Sequence, residues 1–174
     1  MTLLDLGIIA EIVVAVATVA AFLAVAYEIR KSRQSENRSQ VLETKKMFQE
    51  LFPSRKIASS MTWKDYQDFN RKYPLTSEAF WSFQIILEFF DTIGDSIRSG
   101  ELERNPMLRL WGSKATFYWW KFKGVILARN EENDIEAFDD LEWLVDETMK
   151  AFPELKPHVP FQGNLPIGKK RGEN

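Results

Sequence analysis

Apolar residues fill the chain from Gly7 to Tyr27 almost without interruption, and only Glu11 in that run is ionisable. About 20 residues at roughly 1.5 Å each match a hydrocarbon core of about 30 Å, so the pattern predicts a membrane-spanning helix. Arg30, Lys31, Arg33 and Arg38 come directly after it. Cations gather on the cytoplasmic side of a span, which predicts a single-pass protein of the cell membrane, N-terminus outside and C-terminal domain cytoplasmic. A cleavable signal peptide fits less well, because Met1 to Leu6 carries Asp5 and no Lys or Arg. A buried helix of a globular core would show a polar face, and this run shows none.

Within the run, Ala10, Ala17 and Ala24 recur every seven residues, with Val14 and Ala21 on the other seam. Small residues at that period favour close packing against a neighbouring helix, so self-association through the span is expected. Glu11 has no basic partner in the run and sits within two turns of its outer end, where a carboxylate reaches the interface.

Beyond the run, the pattern is helical throughout. Residues 28–51 lack Gly and Pro and continue the first helix, and Pro53 ends or bends it. Residues 54–73 read as one or two short helices, with Ile57, Met61, Tyr66 and Phe69 inward. From Ser77 to Ser99 a broad stripe runs through Phe80, Phe83, Ile86, Leu87, Phe90, Ile93, Gly94 and Ile97, with Thr76 or Ser77 as cap and Gly100 as stop. Asn105-Pro106 opens the next helix, whose stripe is Trp111, Ala115, Tyr118, Phe122 and Ile126. Asn133 and Glu136 have the spacing of a capping box and predict a last helix from 133 to about 152. The expected fold is all-α. An N-terminal transmembrane helix (1–29) continues into a cytosolic antiparallel bundle of four to five helices (30–155), and an irregular, basic Pro/Gly-rich tail (156–174) ends the chain.

Charge adds polarity along the chain. Residues 30–56 hold eight Lys/Arg against Glu36, Glu43 and Glu50, while residues 131–154 hold ten acids against Lys150 alone. The basic stretch, with Arg30, Lys31, Arg33 and Arg38, is the expected contact with the anionic inner leaflet. Past residue 29 the two signs nearly balance, 23 Lys/Arg against 22 Asp/Glu, which gives no reason to expect nucleic acid. The absence of cysteine excludes disulfides, thiolate zinc sites and cysteine nucleophiles.

Three carboxylates, Glu88, Asp91 and Asp95, share a helix face, and Glu142 and Asp146 share another. Di-metal bundles also need Glu-x-x-His pairs, but the one histidine, His158, falls in the tail, so Glu88, Asp91 and Asp95 remain candidates for an all-oxygen metal site only. No triad, Walker loop or Gly-x-Gly-x-x-Gly is present, and no cofactor is expected. The aromatic block Phe117-Tyr118-Trp119-Trp120 overfills its stripe, so Trp119 or Trp120 is expected on an interaction surface.

Tyr27-Glu28-Ile29-Arg30, Phe89-Phe90-Asp91-Thr92-Ile93-Gly94 and Tyr118-Trp119-Trp120 together resemble a family of uncharacterised prokaryotic single-span proteins, catalogued as a domain of unknown function. The resemblance implies a membrane location and a small helical domain, and brings no catalytic residue. The expected function is a membrane-anchored helical interaction module, an adaptor, accessory subunit or effector. Its expected partners are the lipid bilayer, a second copy and an unidentified protein. A membrane-tethered metal-dependent enzyme and an oligomerising membrane-permeabilising effector are the alternatives.

Overall fold

The computed structural model describes residues 3–154, and the side chains of residues 3–17, 20, 33 and 34 are outside that description. Six helices and no strand occur among the described residues: α1 (Leu3–Glu50), α2 (Phe52–Ser60), α3 (Tyr66–Lys72), α4 (Glu78–Arg98), α5 (Arg104–Asn133) and α6 (Asp139–Ala151). The chain forms two compact units that part between Leu42 and Glu43, inside α1.

The first unit corrects the expected transmembrane helix. Among the described residues, no helix is long and apolar enough to cross a membrane. The helix α1 runs from Leu3 to Glu50 and carries Glu28, Arg30 and Lys31 within it. The membrane span, the single-pass topology and the cell-membrane location are therefore not supported. Of the residues assigned to the span, Gly7, Glu11 and Ala17 have side chains outside the described ones, while Ala21, Ala24 and Tyr27 are exposed.

The second unit is built on aromatic packing. Phe48 of α1, Phe89 and Phe90 of α4 and Trp111 of α5 form one cluster, with Phe48 and Trp111 edge to face at 4.8 Å. A second cluster joins Trp63, Phe69, Phe83 and Phe122, with Phe83 and Phe122 4.7 Å apart. Such ring pairs add about 0.5–1.5 kcal/mol beyond the area they bury. The expected stripes of α4 and α5 face this core: Phe83, Ile86, Leu87 and Phe90 on one helix, Trp111, Ala115, Tyr118, Phe122 and Ile126 on the other, are all buried.

Helix ends obey local chemistry where a local cap exists. The Ser77 hydroxyl accepts from the Phe80 amide at 3.1 Å, and the Asp65 carboxylate accepts from the Asp68 amide at 2.8 Å. Gly100 closes α4 at φ +83°, a conformation glycine adopts without the Cβ penalty.

The last helix departs from the expected start. Asn133 is the final residue of α5, the next residue Asp134 is left-handed, and Phe138 at φ 69° precedes α6. The Asn133 side chain donates back to the Arg129 carbonyl, so it caps no later helix. The capping-box reading fails because α6 takes its cap from another helix.

Gly94 fixes where α4 and α6 meet. A Cβ built on it would lie 2.2 Å from the Asp140 carbonyl oxygen, a backbone atom with no freedom to retreat. At Gly112 the obstacle is the Thr148 side chain at 2.5 Å, so that glycine serves helix contact. Gly94→Ala should lower stability by about 1–3 kcal/mol, the usual cost of overpacking, despite its gain in helix propensity. Urea unfolding of the two proteins measures it, and equal midpoints would contradict the close contact.

Candidate functional site

The acids singled out as metal candidates are separated by their surroundings. Glu88 is exposed and accepts from the Gln84 side chain at 2.9 Å. Asp95 is exposed on the same helix. Asp91 is half-buried and turns to α6, where its carboxylate accepts from the Leu141 amide at 2.9 Å. Among the described residues, no group of three or more His, Cys, Asp or Glu is placed to hold a metal ion.

Asp91 is instead the N-terminal cap of α6, supplied across 50 residues of sequence. Orphan amides at a helix start need such an acceptor. Burial pushes the Asp91 carboxyl above the ordinary range; the Leu141 amide opposes this, and the negative charge of Asp140 adds to it. An ion pair between Arg98 and Asp140 closes the same junction, with the Arg98 guanidinium 5.6 Å above the Trp143 ring.

The raised carboxyl sets a pH dependence. The folded state holds the Asp91 proton more tightly than the unfolded chain does, so this group favours folding below the ordinary carboxylate pKa and loses that contribution as pH rises through its folded value. Asp91→Asn keeps an acceptor for Leu141 and removes the charge. It should equal or exceed the parent protein in stability at neutral pH and lose that advantage on acidification. Asp91→Ala removes the acceptor and should cost about 0.5–2 kcal/mol. Thermal melts of the three proteins from pH 3 to 7 check this; parallel pH profiles for Asp91→Asn and the parent would contradict it.

A second carboxylate behaves oppositely. Asp68 accepts from the Lys64 amide, Arg71 and Lys72, and these bonds, Lys72 foremost, hold its carboxyl down to about 2. Its contribution is present above the ordinary pKa near 3.8 and is lost as pH falls through about 2. This network ties α3 to the turn before it and leaves Asp68 no free face for chemistry.

The expected interaction tryptophans divide. Trp119 is 3% exposed and belongs to the core, whereas Trp120 is half-buried. Lys123 lies 5.2 Å from one ring and 5.4 Å from the other, and it pairs with Glu142 of α6 at 3.3 Å. The Trp120 indole nitrogen is buried with no hydrogen-bond partner among the described residues.

The tryptophan that stands out on the surface is Trp81, 55% exposed on the outer face of α4, with Ile85 one turn further on at 38%. Its ring is held edge to face against Phe80, 5.9 Å away. The signal was available in the pattern, since Trp81 and Ile85 both fall off the apolar stripe at a spacing of four.

Arg30, Lys31 and Arg38, assigned to a leaflet contact, line an open depression of about 570 Å³ on one face of α1 with Tyr27 and Ser35. Arg33 has its side chain outside the described residues.

The fold thus defines an all-α domain whose inward acids cap and pair helices and whose exposed tryptophan, Trp81, sits on α4. The chain belongs to the DUF4760 family, a domain of unknown function whose pattern matches residues 11–148. No curated protein matches the chain, and no solved structure matches it.

Proposed function

We propose that the chain is a helical interaction module without catalysis of its own, and that it docks a partner protein through the outer face of α4. The observation that carries this reading is the exposure of Trp81 and Ile85 on one face of a helix whose other face is sealed in the core. Tryptophan is enriched among interface hot spots, where truncation costs about 2 kcal/mol or more. Pinning against Phe80 reduces the freedom Trp81 has to lose on binding. Gln84 and Glu88, bonded to each other beside the apolar pair, supply a polar rim. The chemistry expected of the partner is an apolar pocket that takes an indole, with a hydrogen-bonding edge. The enzyme reading has less support, because Asp91 has a structural use at the start of α6 and Glu88 and Asp95 face outward.

Alanine at Trp81 tests the reading. Stability should change by less than about 0.5 kcal/mol, as for surface substitutions, while recovery of a co-purifying partner falls at least about tenfold. Trp119→Ala should instead cost about 3–5 kcal/mol in folding. Partner recovery unchanged in both Trp81→Ala and Ile85→Asp would overturn the proposal.

A further inference from the structure

Two cations of the second unit meet over one aromatic ring, and a third, Lys45, is near enough for its charge to act on one of them. Lys45 lies on the last part of α1, Arg55 on α2 and Lys114 on α5. The Arg55 guanidinium carbon sits 3.9 Å above the centre of the Phe48 ring. The Lys114 ammonium lies 6.0 Å from that same ring centre and 5.1 Å from the Trp111 ring. Phe48 itself is 5% exposed, which makes it a rigid floor under both charges.

None of the three has an ionic partner among the described residues. The polar bonds they make go to backbone carbonyls: Arg55 Nη1 donates to Phe48 at 3.4 Å, and Lys114 Nζ donates to Leu110 at 3.1 Å. Arg55 Nε is buried and has no acceptor among the described residues. Burial, and after it the neighbouring charges of Arg55 and Lys45, pushes the Lys114 ammonium below its ordinary range. Like charges held together on an aromatic floor raise the energy of the empty site, and a bound anion would relieve it. An arginine fork beside two point charges suits a tetrahedral oxyanion. Three positive charges match a dianion better than a single carboxylate.

We propose that Arg55 and Lys114, over the Phe48 ring, form a binding site for a phosphate-type oxyanion, carried by a small phosphate compound or by a phosphorylated side chain, with Lys45 adding to the positive charge around it. The site lies apart from the Trp81 face and does not depend on it.

The test is nuclear magnetic resonance of the full chain, tracking the Arg55 Nε–H signal during titration with inorganic phosphate. A saturable shift is expected, absent with sodium chloride at matched ionic strength and much weaker with acetate. Arg55→Met, which keeps a chain over Phe48, should weaken phosphate binding about tenfold, the worth of a charge-assisted bond. That variant lacks the reporter, so its binding is read calorimetrically. Lys114→Met and Lys45→Met should weaken it as well, and they carry the test if Arg55→Met does not fold. A linear response, a response that chloride reproduces, acetate binding as tightly as phosphate, or lysine variants that bind like the parent would each overturn the proposal. Phosphoserine and a phosphoserine peptide separate the sources. Tighter binding of the peptide assigns the phosphate to a protein, and equal binding assigns it to a small compound; both support the site.

Discussion

The contact between Gly94 and the Asp140 carbonyl is the constraint on which the last helix depends. No side chain fits there, so α6 crosses α4 at one point, and its first turn is brought beside Asp91. The cap, the Arg98–Asp140 pair and the burial of Leu141, Leu144 and Val145 all result from that crossing. The same crossing commits Asp91 to structure. A half-buried carboxylate with a raised pKa is a common mark of catalysis, but here one geometric observation, the bond to the Leu141 amide, accounts for its position.

Aromatic density explains how the domain forms a core from few, mostly short helices. Phe48, Phe89, Phe90 and Trp111 meet at one end of the α4–α5 contact, and Trp63, Phe69, Phe83 and Phe122 at the other. Each cluster draws rings from outside α4 and α5, so the end of α1 and the α2–α3 region are held by the same packing. Trp111 also donates from its indole nitrogen to Thr44 at 3.3 Å, which satisfies a polar atom that burial would otherwise strand. The result is a rigid support for the exposed face of α4 and for the cations around Phe48.

Elements governed by local periodicity were legible in the sequence, and those governed by distant partners were not. The stripes of α4 and α5 could be read because a 3.6-residue repeat records which face is buried. Ser77 could be read because its cap is three residues away. The start of α6 could not, because its acceptor lies 50 residues upstream and Phe138 adopts a left-handed conformation that nothing nearby signals. The expected span relied on hydropathy alone, and among the described residues no helix is long and apolar enough to cross a membrane. Of the candidate site, Trp81 was visible as a residue off its stripe, while the overfilled aromatic block pointed instead to Trp119 or Trp120, the first interior and the second half-buried. Lys45, Arg55 and Lys114 are ordinary surface charges in sequence and become a group only through folding.

Native-state hydrogen exchange at the Leu141 amide tests the central claim most directly. An amide in the first turn of a helix without a cap exchanges within the fast, fraying class. If Asp91 and the Gly94 crossing hold that turn, Leu141 should exchange only with global unfolding, at the same free energy as the α4 amides of Ile86 and Phe90. Fast exchange at Leu141, with α4 still protected, would contradict the account.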